Sequence, residues 1–425
     1  MFTNAKNLIE WIESQKRFVP KISLERMRRL CEIYGNPQEG LRYIHVGGTN
    51  GKGSTVSFLK SILTAAGYNV ATFISPYVDV FNERIAYNDR YISDEELLEL
   101  ANYIIAKYPM MDEAGIPRPS FFEFVTLLAF IYFSRLPELD FVILEVGLGG
   151  LLDATNIITP LVSVITSISF DHEKILGSTL REIAGNKLGI VKPGAPLVAT
   201  RNDAVLDLFE SVTRAKESPL HLVAPAEIKN VKATLAATEF DFRDHCRLKV
   251  SLLGFHQAEN AALALRAAEV LRDYCDVRLT DDNIREGLLK AKWPGRLQLV
   301  SKEPPVLLDG AHNPGGIARL VEFLRAVKGE RFLRVVFAAS ANKNKPEMIA
   351  ALDAIADEIV FTSFGYVRSD AAENLFLLSR HPQKSIAIDW REIFDSALSE
   401  SGTMTVFCGS LFFVSEIYNY LKSRT

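Results

Sequence analysis

The sequence of residues 42–55 reads RYIHVGGTNGKGST. Its beginning is mainly apolar and β-branched, which predicts a strand over 42–46. Glycines follow at once, and a helical pattern covers 52–66. In this setting, backbone N–H groups and a helix N-terminus can hold phosphate groups. The stretch therefore predicts a parallel sheet with a phosphate-binding loop at the end of one strand.

The residue types of this loop suit a polyphosphate bound with magnesium. The glycines let the backbone approach the phosphates, Lys52 brings a positive charge, and Ser54 or Thr55 offers a hydroxyl to the metal. The spacing differs from GxxxxGK[ST], because Val46 stands at the first glycine position and Gly53 separates the lysine from the hydroxyl residues. The alternative is a glycine-rich turn with a solvated lysine. The residues expected to contact ATP are Thr49, Asn50, Gly51, Lys52, Gly53 and Ser54.

Two further strands lead into residues that can bind a metal ion. The predicted strand 140–146 carries Glu145 near its end, and the predicted strand 161–167 runs out into His172. Ligands bind beyond the carboxyl ends of parallel strands, so both side chains can reach the crevice of the phosphate loop. Each residue alone has an ordinary alternative. Glu145 could cap a helix or pair with an arginine, and His172 could be a hydrogen-bonded histidine without a metal. Together with the loop they predict a magnesium site.

The rest of the chain predicts an α/β protein with two domains. Apolar β-branched runs alternate with helical patterns, which is typical of parallel sheets. Residues 237–253 alternate apolar and polar residues as an antiparallel hairpin does, and the sequence WPGRLQ at 293–298 breaks the helical pattern. We expect an ATPase domain at 1–294 and a smaller Rossmann-like domain at 295–425. The remaining predicted elements are helices 4–15, 23–34, 94–107, 121–135, 180–190 and 256–272 and strands 69–74, 305–309, 333–338, 358–362 and 404–407.

Composition and charge exclude several classes of protein. Lys and Arg number 48 against 52 Asp and Glu, which gives a net charge of -4, so we expect no nucleic acid partner. The most apolar helix, 121–133, contains Glu123 and is too short for a bilayer, so we expect no membrane span. The cysteines lie too far apart for a CxxC pair, and no export signal opens the chain. We expect a cytoplasmic monomer with reduced thiols.

Three motifs resemble the folylpolyglutamate and dihydrofolate synthases of the Mur ligase superfamily. They are HVGGTNGKGS at 45–54, EVGLGGLLDATN at 145–156 and FDHEKILGSTLREIAGNKLGIVKPG at 170–194. Leu151 replaces an arginine of the family pattern, and Asn186 and Leu188 flank the lysine differently. The resemblance covers nearly the full chain, with the motifs in the family's order. It implies a Mur-ligase fold, a P-loop ATPase domain with a parallel sheet and a Rossmann-like C-terminal domain.

The resemblance also implies the metal ligands. Two magnesium ions would be bound by Ser54, Ser75, Glu145 and His172, and carbon dioxide would carbamylate Lys187 near the second ion. A carbamate turns a cation into an anion beside metal ions whose charge needs neutralising. Without the resemblance, Lys187 resembles an ordinary charge on a helix surface and Ser75 the start of a turn.

Substrate contacts are implied in the same way. By the resemblance, the pteridine would contact the helix start at 120–123 and the segment 152–154, and aromatic rings beside a carboxylate suit a flat heterocycle. Core phenylalanines and ordinary helix caps are the alternatives. The residues expected to bind the acceptor or glutamate are Arg84, Ser120, Phe122, Glu123, Leu152, Asp153, Ala154, His312 and Ser410. Those expected at the nucleotide outside the loop are Asn260 at the adenine, Arg296 at a phosphate and Asp309 at the ribose. The expected catalytic residues are Lys52, Lys187 and His312.

These features predict an ATP-dependent ligase that adds L-glutamate to dihydropteroate, to a tetrahydrofolate polyglutamate, or to both, through an acyl phosphate. We expect the domains to close about 293–298 when ATP and folate bind. One alternative is a Mur-type ligase that acts on a cell-wall precursor. Such a ligase carries a UDP-binding domain before the phosphate loop, and the roughly forty residues that precede the loop here are too few for one. A P-loop kinase, a nucleotide-binding regulator and a binding module without catalytic activity are three competing interpretations of the same loop.

Overall fold

The computed structural model describes residues 1–15, 23–341, 343–366 and 369–424. It divides into two compact units, each with its own sheets and core. The first comprises Met1–Pro225 and Asn260–Leu288, and the second comprises Ala226–Glu259 and Leu289–Thr425. The predicted assignment of functions to 1–294 and 295–425 stays a prediction.

The first unit is built on an eight-stranded sheet with the order β4-β3-β2-β5-β1-β6-β7-β8. Its strands are β1 Tyr43–Gly47, β2 Val70–Phe73, β3 Ile85–Tyr87, β4 Arg90–Tyr91, β5 Phe141–Glu145, β6 Val162–Ile165, β7 Leu197–Thr200 and β8 Leu220–Val223. Neighbouring strands are parallel along the part β2-β5-β1-β6-β7-β8 of this order. Strands β3 and β4 form an antiparallel edge next to β2. The central strands β1, β2, β5 and β6 are buried along their whole length, as their continuous apolar runs predict.

Eleven helices lie between the N-terminus and residue 290 within the described ranges. They are α1 Ala5–Ser14, α2 Leu24–Ile33, α3 Lys52–Ala65, α4 Asp94–Ala106, α5 Tyr108–Glu113, α6 Phe121–Ser134, α7 Glu173–Leu176, α8 Leu180–Leu188, α9 Leu206–Ala215, α10 Phe255–Cys275 and α11 Asp281–Lys290. Helix α6 is apolar nearly all round and is buried among α1, α2, α4 and the sheet. Its interpretation as a core helix is therefore correct. No helix among the described residues is both long enough and apolar enough to span a bilayer.

The second unit contains an antiparallel sheet of β9 Ile228–Ala233, β10 Thr238–Phe242 and β11 His245–Val250. The hairpin β10–β11 was predicted, whereas β9 was missed because most of its residues are exposed or half-buried and give no core-facing pattern.

A six-stranded sheet with the order β12-β13-β17-β14-β15-β16 forms the rest of this unit. The strands are β12 Gln298–Lys302, β13 Pro305–Asp309, β14 Phe332–Phe337, β15 Glu358–Phe361, β16 Lys384–Ile386 and β17 Thr403–Cys408. The helices are α12 Pro314–Val327, α13 Lys345–Asp353, α14 Ala372–Leu378, α15 Trp390–Ala397 and α16 Leu411–Lys422. Only β12 is antiparallel to its neighbour. The predicted fold class, a parallel-sheet domain with a second Rossmann-like α/β domain, is confirmed.

Candidate active site

Four neighbouring strands of the first sheet bring the predicted phosphate and metal residues to one edge. In the order β2-β5-β1-β6, Ser75 follows β2, Glu145 ends β5, the phosphate loop follows β1, and His172 lies beyond β6. The parallel register pairs Val46 of β1 with Glu145 of β5. Because these strands are parallel, their carboxyl ends lie side by side. The predicted residues therefore share one sheet edge.

The phosphate loop is shaped by two glycines with positive φ. Gly48 has φ 141 and Gly51 has φ 88. A Cβ on Gly48 would lie 1.8 Å from Oγ1 of Thr166, and a Cβ on Gly51 would lie 2.2 Å from Oδ1 of Asn260. Only glycine fits both the backbone conformation and the space. Asn260, expected at the adenine, thus lies against the loop.

The segment after β6 holds the loop by hydrogen bonds. The Thr49 N–H donates to the carbonyl oxygen of Ser167 at 2.7 Å, and the Thr49 hydroxyl donates to the carbonyl oxygen of Ser169 at 3.1 Å. The Thr166 hydroxyl donates to the carbonyl oxygen of Asn50 at 2.7 Å. Since the same segment leads to His172, the phosphate loop and the predicted metal ligand are held in one structural unit.

Two lysines converge on the loop. The ammonium of Lys52, in the first turn of α3 with Gly53 and Ser54, lies 3.3 Å from the Gly48 carbonyl oxygen. Lys187 of α8 is buried, and its Nζ lies 2.9 Å from the same oxygen. Burial and then the positive charge of Lys52 lower the pKa of Lys187 to about 7, opposed by Asp171. A substantial fraction of Lys187 is therefore a neutral amine near neutral pH.

Two hydroxyls lie in the first turn of α3. Ser54 and Thr55 are both buried. Within the described part of the chain, Oγ1 of Thr55 has no hydrogen-bond partner. A buried hydroxyl without a partner is costly unless a ligand supplies one. This start of a helix therefore suits phosphate oxygens and a magnesium ion.

The remaining predicted metal ligands are Glu145, Ser75 and His172. Glu145 is buried, and its Oε2 accepts from the Ser75 N–H at 3.4 Å. The His172 side chain is 44% exposed, with Nε2 at 3.8 Å from Oδ1 of Asp171. Across the described residues, no three side chains of His, Cys, Asp or Glu are grouped as a metal site. The residues fit magnesium held by few protein groups, with phosphate and water oxygens completing its shell.

Arg84 provides a buried positive charge beside Ser75. One guanidinium nitrogen donates to the Ser75 hydroxyl at 3.2 Å. The guanidinium lies 5.0, 5.5 and 5.3 Å from the ring centroids of Tyr77, Phe81 and Phe121. Because arginine stays protonated, this group can hold an anionic substrate group next to the sheet edge.

The start of α6 lies beside the loop that follows Glu145. The Phe122 ring occupies the space in front of Gly147, where its Cζ would be 2.4 Å from an added Cβ. Ser120 caps the helix, and its N–H and hydroxyl donate to Oε2 of Glu123 at 2.9 and 2.6 Å. Glu123 also pairs with Arg26 of α2. Sequence reasoning missed Arg26, because nothing local distinguishes it from the neighbouring arginines of that helix.

The segment 152–154 combines an exposed leucine with a buried carboxylate. Leu152 is 49% exposed, whereas Ala154 is buried. Asp153 accepts from the Leu148 N–H at 2.8 Å and from the Thr155 hydroxyl at 2.6 Å. Burial raises the pKa of Asp153. Its carboxylate fixes the shape of this loop, while its predicted contact with a pteridine stays a prediction.

In the second unit, the ends of β13 and β17 lie next to each other. Asp309 pairs in register with Cys408, two residues before Ser410, which caps α16. Asp309 accepts from the Leu297 and Ala311 N–H groups at 2.8 and 2.9 Å, and burial raises its pKa, opposed by Arg296.

The imidazole of His312 is fixed by a short contact in the same region. Its Nδ1 lies 2.8 Å from the Gly310 carbonyl oxygen, which assigns the hydrogen to Nδ1. Arg296 also reaches Gly310, with a guanidinium nitrogen 3.2 Å from the position of an added Cβ. Arg296, Asp309, His312 and Ser410 thus belong to one edge of this sheet.

Comparisons with known proteins agree with both units. Residues 46–268 match the family model of the Mur ligase middle domain, and residues 295–411 match that of the Mur ligase glutamate ligase domain. The phosphate loop, the two sheets and these matches define an ATP-dependent ligase of the Mur type.

Full-length relatives narrow this class. The dihydrofolate synthase/folylpolyglutamate synthase of Bacillus subtilis (strain 168) is 41% identical over 99% of this chain and 100% of its own length. The crystal structure of folylpolyglutamate synthase from Thermotoga maritima has a TM-score of 0.86 at 31% identity, covering 99% of this chain and 97% of that one. The structure of a folylpolyglutamate synthase (FPGS) in complex with AMPPCP and folate has a TM-score of 0.84 at 29% identity. The match covers 99% of this chain and 100% of that one. This chain belongs to the dihydrofolate synthase/folylpolyglutamate synthase family.

Proposed function

We propose that this chain uses ATP to join L-glutamate to the carboxylate of dihydropteroate or of a tetrahydrofolate glutamate. The observation that carries this proposal is the sheet edge that gathers the phosphate loop, Lys187, Glu145 and Ser75. A kinase needs the loop, but it gives no reason for a buried lysine against the loop's own carbonyl oxygen. The family's relatives, which include a complex with AMPPCP and folate, support the ligase.

Magnesium is the second part of the proposal. Ser54, Ser75, Glu145 and His172 would hold two ions together with the phosphates of ATP. Bound there, the ions would supply positive charge against the phosphoryl group during its transfer. The partnerless Thr55 hydroxyl and the buried Glu145, both among the described residues, support this site.

Carbamylation of Lys187 is the third part. The lone pair of the neutral Nζ would form an N–C bond with carbon dioxide, and one proton would leave. The product, a carbamate, carries a negative charge where the neutral amine carried none. This exchange suits a buried group, because Lys52 and the metal ions then compensate its charge. The lowered pKa of Lys187 supports the neutral amine that the reaction requires.

The reaction consists of two transfers. A carboxylate oxygen of the acceptor forms a bond to the γ-phosphorus as the bond to ADP breaks, which gives an acyl phosphate. The glutamate amine then forms a bond to the acyl carbon, phosphate leaves, and the amine loses a proton. Lys52 would stabilise charge on the transferring group, and Arg84 would hold the acceptor carboxylate in place. His312 and Ser410 would contact the glutamate, with His312 as the proton acceptor.

The remaining assignments place Asn260 at the adenine, Arg296 at a phosphate and Asp309 at the ribose. The close approach of Asn260 to Gly51 supports a place for Asn260 in the nucleotide site. The acceptor ring would lie against the start of α6 and the segment 152–154. Closure about 293–298 and a monomeric state belong to the same proposal.

A direct assay tests the function. The protein is incubated with ATP, magnesium, glutamate and either dihydropteroate or tetrahydrofolate. The amide together with ADP and phosphate is the expected set of products, and it should not form without glutamate. A stable phosphorylated acceptor would instead identify a kinase. Comparing the two acceptors decides between one activity and two.

A further inference from the structure

An arginine outside the predicted site forms a buried ion pair with Glu123. Nε of Arg26 lies 2.8 Å from Oε1 of Glu123, and a second guanidinium nitrogen contacts Oε2. The side chains are 12% and 8% exposed. A guanidinium and a carboxylate joined in this way form a strong, geometrically defined pair. Its net charge is zero.

The hydrogen bonds of Glu123 are unevenly distributed over its two oxygens. Oε2 accepts from the Ser120 N–H, the Ser120 hydroxyl and Arg26. Among the described residues, Oε1 accepts from Arg26 alone. A carboxylate oxygen can accept about two hydrogen bonds. Oε1 therefore retains the capacity to accept one N–H from a ligand.

The pair lies at the start of α6, next to two phenylalanines. Phe122, next to Glu123, fills the space in front of Gly147, two residues beyond Glu145. Phe121, the first residue of the helix, contacts the guanidinium of Arg84. A heterocycle that donates to Glu123 would therefore lie at the start of α6, beside these two aromatic rings.

We propose that Arg26 determines which heterocycle the acceptor site takes, by neutralising Glu123. This inference rests on the proposed function. A lone carboxylate attracts a basic ring that can gain a proton, as a 2,4-diaminopteridine does. In this protein, the guanidinium of Arg26 already neutralises the Glu123 carboxylate. A protonated ring would therefore be repelled by Arg26, because like charges at close range are strongly unfavourable. A neutral 2-amino-4-oxo ring, which donates an uncharged N–H to Oε1, meets no such repulsion.

The test compares kcat/KM for two acceptors that differ only in this ring, one 2-amino-4-oxo and one 2,4-diamino. Arg26→Met should raise the ratio of diamino to oxo activity at least about tenfold. Arg26→Lys keeps the charge and should leave the ratio close to that of the unmodified protein. Glu123→Gln removes the negative charge and should shift the ratio the opposite way.

Arg29→Met is the matched control, because Arg29 lies on the same helix and donates to the Ala114 carbonyl oxygen. It should leave the ratio unchanged. A merely structural Arg26 would lower both activities by the same factor in Arg26→Met, and that result would overturn the proposal. If Arg26→Met does not fold, as judged by circular dichroism, Arg26→Gln replaces it with the same expected shift. Failure of the proposed function would give a different result, because the unmodified protein would then form no amide with either acceptor.

Discussion

Nζ of Lys187 donates to the carbonyl oxygen of Gly48 at 2.9 Å, so a buried lysine of α8 lies directly against the phosphate loop. The contact joins two segments that are far apart in sequence. The pKa of Lys187 is lowered by burial first and then by the positive charge of Lys52.

Replacing this lysine should separate activity from stability. Lys187→Met should lower kcat about 10²- to 10³-fold, the usual loss when a group that stabilises developing charge is removed. The melting temperature should stay the same or rise, because a costly buried amine is replaced by an apolar side chain. Arg181→Met is the control, since Arg181 lies on the same helix and forms an exposed ion pair. Full activity of Lys187→Met would exclude a catalytic role.

The same lysine should make stability depend on pH. Its pKa falls from 10.5 in the unfolded chain to about 7 in the folded one. Between these values the unfolded state binds the extra proton, so raising the pH favours the folded state. The unfolding free energy of the unmodified protein, minus that of Lys187→Met, should increase from about pH 7 to about pH 9. Urea titrations of both proteins in buffer free of carbon dioxide measure this difference in unfolding free energy. A difference that does not vary with pH would show that the folded protein does not hold Lys187 as a neutral amine.

A side chain at Gly51 should displace Asn260 from the nucleotide site. Gly51→Ala places a Cβ 2.2 Å from Oδ1 of Asn260, and we expect ATP binding to weaken about tenfold or more. Gly67→Ala is a matched control, because Gly67 has φ 87 and nothing within 4 Å of an added Cβ. Both variants carry the same backbone strain, about 1 kcal/mol. Equal ATP affinities of the two variants, measured by calorimetry, would contradict the placement of Asn260.

His172 tests the metal site with little risk to the fold. Its side chain is 44% exposed, so His172→Ala should change the free energy of unfolding by no more than about 0.5 kcal/mol. Loss of an imidazole ligand should raise the magnesium concentration needed for half-maximal activity about tenfold or more. Glu145→Gln, which keeps an acceptor for the Ser75 N–H, should have the same effect. An unchanged magnesium requirement in both variants would remove these residues from the metal site.

Much of the first unit could be predicted because its signals are local. The strand before the phosphate loop, the glycines and helix α3 form one continuous pattern, and the order of strands then places Glu145 next to Val46. The edge strands β9 and β16 could not be predicted, since short, exposed strands lack a core-facing alternation.

The contacts that shape the site depend on tertiary structure. Arg26 and Glu123 are 97 positions apart, and single-sequence patterns do not connect such residues. The approach of Asn260 to Gly51 likewise arises only when α10 packs beside the loop. Burial, which distinguishes Lys187 from a surface lysine, is also a property of the folded chain.

The proposed mechanism activates the acceptor carboxylate as an acyl phosphate at the edge that carries Lys52, Lys187 and Glu145. An acceptor whose carboxylate oxygens are labelled with oxygen-18 tests this activation, with mass spectrometry of the phosphate released. We predict that each amide formed yields one ADP and one phosphate that carries a single labelled oxygen. Amide formation with unlabelled phosphate, or a labelled phosphoryl group retained in a stable end product, would exclude an acyl phosphate on the path to the amide.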